Sequence, residues 1–310
     1  MINSAVAFIV YKRPQTTKKV FEAIRQAQPS RLYLIADGPQ SPELEPKCLE
    51  VRKIVETGID WDCELISIYS STNLGLAKRV QTGLDYVFSK EEAAIVLEDD
   101  TLPDNSFFRF CEDLLSKYEQ DERIVHISGC NLHPKAFEGN SSYCFSSMIN
   151  IWGWATWARA WKHFDLQMPC WEKEHKNQFL QKWCKSRSRE TQKQTRKMFD
   201  LHCKNDDPWA WSYQWIYNCW HLKGLSVMPS KNLVANIGFG RDATNTKSPT
   251  SIDLFPAQLQ SMNFPLTHPA FEQNFAFEKR YSQMERLPMS RKLKTRLSSL
   301  LRIIKSFNKH

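Results

Sequence analysis

From its N-terminus the chain alternates two patterns of apolar and polar positions. "AVAFIVY" (residues 5–11) is an unbroken apolar run, as expected for a strand buried on both faces. "KRP" ends it, and Thr16 or Thr17 can cap a helix through "KKVFEAIRQA", with Val20, Phe21 and Ile24 as its apolar stripe. "RLYLIADGP" (31–39) is a second strand ending in Asp-Gly-Pro, and "EPKCLEVRKIVET" is a helix. "CELISIYSS" (63–71) alternates like a strand, "NLGLAKRVQTGLDYVF" (73–88) is a turn followed by a helix, and "AAIVL" (93–97) is a fourth strand. Strand and helix in regular alternation predict an α/β fold with a mostly parallel, doubly wound sheet flanked by helices. Such sheets bind ligands beyond the carboxyl ends of their strands. Four features should therefore share one rim: Lys12-Arg13, Asp37-Gly38, Asn73-Leu74-Gly75 and Glu98-Asp99-Asp100.

After residue 101 the pattern changes. "NSFFRFCEDLLSKYEQD" (105–121) is an amphipathic helix with an Asn or Ser start, and "RIVHISGCN" is a short strand and turn. "INIWGWATWARAW" (149–161) is aromatic and reads as irregular, whereas the charged region 172–204 reads as helical. "DDPWAWSYQWIYNCWHLKG" (206–224) predicts a helix led by acids and ended by Gly224, and 225–246 a strand with a glycine-containing loop. A linker is expected near Thr246, where Ser, Pro and Thr cluster. No internal repeat is evident.

Composition narrows the class. Hydrophobic residues make up 42% of 310, enough for a sizeable core and against general disorder. The formal charge is +8. Residues 280–310 hold nine basic residues and one acid, a net +8, which leaves residues 1–279 neutral. The basicity belongs to the tail and gives no reason to expect a nucleic-acid partner. Nine cysteines occur without Cys-x-x-Cys spacing, as expected of scattered reduced thiols. The N-terminal apolar run lacks a basic leader and a small-residue cleavage site, and no apolar run approaches the ~20 residues that span a bilayer. The expected location is the cytoplasm.

Three adjacent carboxylates repel one another, and each needs a counter-charge or solvent. A hard divalent cation, Mg²⁺ or Mn²⁺, meets that need, and one carboxylate with a phosphate-bearing ligand is a sufficient shell. The plain alternative is a solvated acidic turn before the next helix, which Asp104 or Asn105 can cap. Placement after a fourth parallel strand favours the metal. Asp37 can accept from a ribose hydroxyl or a base N–H, or simply make an Asp-Gly-Pro turn. Arg13 is suited to a diphosphate, and Asn73-Leu74-Gly75 is either a plain turn or a backbone that closely approaches a nucleotide.

"FIVYKRPQTTKKVFEAI", "LYLIADGP", "NLGLAKRVQTGLDYVF", "IVLEDDTLPDNSFFRFCEDLLSKY", "ISGCN" and "NLVANIGFG" together resemble GT-A-fold glycosyltransferases. The resemblance is to bacterial nucleotide-diphospho-sugar transferases related to the N-acetylglucosaminyltransferases that begin complex N-glycans, and it covers residues 5–270. It implies a transferase domain over 1–246, with a nucleotide-binding half at 1–104 and an acceptor half at 105–246, followed by a C-terminal extension over 247–310. It implies a nucleotide-sugar donor, UDP-linked, a glycan or lipid-linked acceptor in surface polysaccharide synthesis, and inversion at the transferred carbon. Asp100 would hold the metal and Glu98 and Asp99 would face ribose or sugar. Asp37 would meet base or ribose, with Arg13, Asn73 and Gly75 in the nucleotide pocket. Trp152, Gly153 and Trp154 would line the donor sugar, and Gly238, Gly240 and Arg241 would belong to a loop closing over the donor.

Two departures stand out. Relatives place an acid within a Trp-rich segment similar to "WAWSYQW", where this chain has Ser212; the nearest acids are Asp206 and Asp207, which are either the general base or an N-terminal helix charge. Relatives commonly show His where Asn245 stands, with Arg241 or Asp242 able to compensate. In the tail, Leu293, Leu297, Leu300, Leu301 and Ile304 follow helical spacing among basic residues, as in a helix lying on an anionic membrane or packing on the body. Two alternative functions remain: a sugar nucleotidyltransferase, for which "VYKRPQTT" lacks a glycine-rich signature, and a non-catalytic sugar-binding or membrane-associated protein on a transferase fold.

Overall fold

The computed structural model describes residues 1–206, 208–238 and 258–284. Asp207, Gly240, Arg241, Asp242, Asn245 and the expected tail helix lie outside the described residues. The first half follows the predicted alternation: β1 (Ala5–Val10), α1 (Pro14–Ala27), β2 (Arg31–Ala36), α2 (Glu45–Glu56), β3 (Glu64–Tyr69), α3 (Leu76–Phe88) and β4 (Ala93–Glu98). The second half is less regular: β5 (Thr101–Pro103), α4 (Asn105–Lys117), β6 (Ile124–Ser128), β7 (Tyr143–Ser146), β8 (Trp154–Trp157) and α5 (Ala158–Trp161). It continues through α6 (Lys176–Trp183), α7 (Arg189–His202), α8 (Ser212–His221), β9 (Leu225–Pro229), β10 (Val234–Asn236) and α9 (Phe275–Met284).

Eight strands form one sheet in the order β3-β2-β1-β4-β8-β6-β9-β7, and β5 pairs with β10 in a separate ribbon. The strands from β3 to β4 are mutually parallel. β8 runs antiparallel to both β4 and β6, β6 and β9 are parallel, and β7 closes the far edge antiparallel. The mostly parallel sheet flanked by helices agrees with the alternation in the sequence. Parallel neighbours on both sides explain why β1 is apolar throughout: Val6, Phe8 and Val10 face one core layer and Ala5, Ala7 and Ile9 the other. β3 is the open edge, and its half-exposed residues account for its alternation.

Local chemistry places the elements. α1 starts at Pro14, so the expected Thr cap is not used; the Thr16 and Thr17 hydroxyls donate back to the Arg13 carbonyl at 3.2 and 2.9 Å. Asp104 caps α4 by accepting from Ser106 N–H at 2.9 Å. Residues 149–161, expected to be irregular, contain β8 in the middle of the sheet. Trp154 and Trp157 are buried there on opposite layers, so no polar alternation marks the strand. The helix expected across 206–224 begins only at Ser212, which leaves Asp206 outside it.

Residues 258–284 pack on the body. Ser261 Oγ donates to Asp104 at 2.8 Å, and Phe277 and Tyr281 of α9 bury against Cys144, Met148 and Met228. Buried Glu278 accepts from Ser146 Oγ, Ser147 N–H, Ser186 Oγ and Gln273 Nε2 at 2.7–2.9 Å, which satisfies its carboxylate with hydrogen bonds. All nine cysteines are free. No described helix is long and apolar enough to cross a membrane.

His126 lies at the centre of the aromatic layer. It stacks on Trp154 at 5.4 Å, and its Nδ1 accepts from Trp215 Nε1–H at 3.1 Å. Nε2 therefore carries the proton and donates to the Asn150 carbonyl at 3.0 Å. Burial pushes its pKa down to about 4, against 6.5 in an ordinary setting. The unfolded chain thus binds more protons between those values, and stability rises with pH across that window. The contribution is complete above pH 6.5 and lost as pH falls to 4. Denaturant unfolding of wild type should weaken over this range, and a non-titrating His126→Gln variant should show a shallower slope; equal slopes would exclude His126 as a cause.

Candidate functional site

A cleft of about 790 Å³ opens at the carboxyl ends of β1, β2 and β4 and the start of α3. Its far wall comes from Ile151, Trp152 and the segment 208–213. The size and the mixture of aromatic and charged walls suit a small organic ligand. The structure brings Arg13, Asp37, Asn73, Gly75, Glu98, Asp99, Asp100, Trp152, Ser212 and Gly238 to this one cleft.

The acidic triplet occupies a tight turn between β4 and β5. Thr101 Oγ1 accepts from Glu98 N–H and donates to the Glu98 carbonyl, both at 2.9 Å, which turns the chain sharply enough to aim all three acids into the cleft. Arg13, one strand away, spans two of them. One guanidinium nitrogen donates to Asp100 Oδ2 at 2.8 Å and the other to Asp99 Oδ1. Asp99 Oδ2 also accepts from Tyr11 N–H at 3.3 Å. Burial opposes the charge on Arg13, but Asp99 and Asp100 outweigh it and hold the guanidinium protonated. Burial raises the pKa of Asp99, and Arg13 partly offsets this. Glu98 lies well above the usual carboxylate range, first from burial and then from the charges of Asp100 and Asp99.

A divalent cation was expected on Asp100. The protein offers it little more than that carboxylate: among the described residues no group of three or more His, Cys, Asp or Glu side chains could hold a metal. Asp100 Oδ2 is engaged by Arg13, and a Cβ at Gly238 would lie 2.1 Å from the same oxygen, so only glycine fits there. The hard oxygen of Asp100 fits Mg²⁺ or Mn²⁺ only if a ligand and water complete the shell.

Asp37 is buried and turned toward backbone. It accepts from Gly38 N–H at 2.9 Å, Leu74 N–H at 2.9 Å and Gly75 N–H at 3.0 Å. Asn73 Nδ2 donates to the Gly38 carbonyl at 2.8 Å and to Tyr11 Oη at 3.2 Å. Asp37 and Asn73 thus shape the loop that leads into α3, and Gly75 takes φ +78° with open space where a Cβ would stand. Burial raises the Asp37 pKa, while these hydrogen bonds oppose the rise.

Some expected residues lie elsewhere. Trp154 is 1% exposed and packed among His126, Trp161, Trp211 and Trp215, so it offers no face to a sugar. Gly153 lies against Val234 and does not line the cleft. Asp206 is exposed and outside the cleft lining. Sequence reasoning missed Tyr11, Arg79, Trp209, Trp211, Tyr213 and Asn236, which do line it. Proximity to Ser212 was a signal for the three aromatics at 209–213; nothing distinguished Arg79 from Lys78 beside it.

The fold and site define a mixed α/β protein with an acidic ligand cleft at the carboxyl rim of its sheet. No protein-family model matches the chain, and no curated protein matches it. Solved structures give distant likenesses. Mouse xyloside xylosyltransferase 1 in its apo form is 10% identical over 84% of this chain and 95% of that one, with a TM-score of 0.40. UDP-glucose pyrophosphorylase complexed with UDP-glucose is 12% identical over 52% and 78%, with a TM-score of 0.33. The 4-diphosphocytidyl-2C-methyl-D-erythritol synthase of Anaerococcus prevotii is 10% identical over 52% and 75%, with a TM-score of 0.34. Likeness at this level identifies neither family nor activity.

Removing the Asp37 carboxylate would strand three backbone N–H groups. Asp37→Ala is expected to cost on the order of 3 kcal/mol in chemical denaturation. Amide exchange at Leu74 and Gly75 should quicken more than exchange in β1; uniform quickening would mean that the loop does not depend on Asp37.

Proposed function

We propose that this chain is a metal-dependent, inverting glycosyltransferase. Its donor would be a nucleoside-diphosphate sugar, a uridine one, and its acceptor a glycan or lipid-linked sugar in surface polysaccharide synthesis. One observation carries the reading: three consecutive acids, two of them bridged by Arg13, set at the carboxyl rim of a parallel sheet and facing a cleft large enough for such a donor. Charge supports it. Asp37, Asp99 and Asp100 stand against Lys12, Arg13 and Arg79, and Glu98 adds a fourth carboxyl whose pKa is raised by burial and its neighbours, so the lining holds no surplus of positive charge. A diphosphate adds further negative charge, so it enters this cleft favourably only with a cation.

Asp100 is the residue to hold that cation, and Arg13 orients its carboxylate through the contact at 2.8 Å. A bound Mg²⁺ or Mn²⁺ supplies Lewis-acid neutralisation of the departing diphosphate. Trp152 offers an aromatic wall to the sugar, and the 73–75 loop faces the nucleoside. An acceptor hydroxyl attacks the anomeric carbon from the side opposite the diphosphate. The new C–O bond forms as the bond to the phosphate oxygen breaks, and the hydroxyl proton passes to a carboxylate. Ser212 lines the cleft, but its hydroxyl is no base at neutral pH. Asp206 lies outside the lining, and we assign the general base to Asp207, which is next in sequence to cleft-lining Pro208. The basic tail would bring the enzyme to an anionic membrane surface and a lipid-linked acceptor.

Calorimetry tests donor binding. UDP should bind about tenfold or more tightly with Mn²⁺ than with chelator, and Asp100→Asn should abolish that gain. No UDP binding in either condition would sink the proposal. Release of pyrophosphate from UTP and a sugar phosphate would indicate nucleotidyl transfer instead.

The base assignment has its own test in donor turnover. Asp207→Asn should lower kcat by on the order of 100-fold, whereas Asp206→Asn should change it by no more than about threefold. The reverse order would move the base to Asp206.

A further inference from the structure

Arg79 is the unexplained cation of the cleft. It sits one turn into α3, its backbone N–H donating to the Gly75 carbonyl at 2.9 Å, and its side chain lines the cavity. It is only 5% exposed, and its Nε has no hydrogen-bond partner among the described residues. A buried guanidinium left this way is costly unless something arrives to accept from it.

The neighbouring charges say what that can be. Asp37 is the carboxylate whose field reaches Arg79, but its oxygens are engaged by the N–H groups of Gly38, Leu74 and Gly75. The acids at the end of β4 are served instead by Arg13. β2, which Asp37 follows, and β4 lie on opposite sides of β1, about 10 Å apart at ordinary strand spacing. A ligand that places its diphosphate at the β4 end therefore presents its other end, the base, to Arg79. With Asp37 balancing the charge locally, Arg79 needs a neutral acceptor rather than another anion. A guanidinium has five N–H donors and no acceptor, so it meets a ring carbonyl well and an exocyclic amino group badly.

We infer that Arg79 is the base-reading residue of this site, donating to a carbonyl of a uracil ring and discriminating against the amino edge of cytosine. This rests on the reading of the cleft as a nucleotide-sugar site. UDP and CDP are the discriminating pair, because position 4 is an oxygen acceptor in one and an amino donor in the other.

Calorimetry with Mn²⁺ at neutral pH should show wild type binding UDP at least about tenfold more tightly than CDP. Arg79→Gln should narrow the ratio to about threefold or less by weakening UDP, and Arg79→Lys, which keeps a donor, should recover part of it. Equal binding of UDP and CDP by wild type would overturn the inference while sparing the nucleotide-sugar reading. So would an Arg79→Gln variant that weakens both ligands equally, the result of a phosphate contact. Binding of neither ligand by wild type would overturn both. The wild-type comparison decides the matter even if a variant fails to fold.

Discussion

The rim of this protein depends on one guanidinium. Arg13 leaves the end of β1 and ties together Asp99 and Asp100, which leave the end of β4 on the adjacent strand. Without it, three carboxylates would meet in a confined turn with nothing to balance them. With it, two acids are tied to one cation and aimed, while Glu98 remains in the cleft with its pKa raised. The same ion pair keeps the turn against the start of α1, so the electrostatics of the site and the geometry of the sheet edge are one problem.

The opposite wall is set by packing rather than charge. Trp211 and Trp215 bury in the layer around Trp154 and Trp161, while Ser212 and Tyr213, on the same stretch of chain, face the cleft. A close-packed aromatic layer has low compressibility, so it holds the wall built on it in place. Neutral His126 belongs to that layer, and its two hydrogen bonds fix Trp215 and the carbonyl of Asn150 close to Ile151 and Trp152. An interior histidine with both ring nitrogens satisfied is here a spacer of the aromatic core.

Much of the first half was legible because a two-sided parallel sheet imposes unmistakable apolar runs, each followed by an amphipathic helix. The rim residues were legible for the same reason: whatever follows such a strand stands at the ligand edge. The second half hid its strands. β8 is buried on both faces yet is written in tryptophan, alanine and threonine, and β5 and β10 are three residues each, too short for any period to show. The resemblance placed Trp154 beside the donor sugar, but its position in β8 turns it into the aromatic layer.

The sequence by itself determined the alternating α/β plan and the position of Arg13, Asp37, Asn73 and the acidic triplet at strand ends, because those follow from local periodicity. Only the tertiary structure decided what each does there. Arg13 turns to two acids, Asp37 to the backbone of a loop from the next unit, and Arg79 is buried with its Nε unpaired among the described residues. These are contacts between segments distant in the chain, set by how the sheet and helices pack, and no local pattern of residues encodes them.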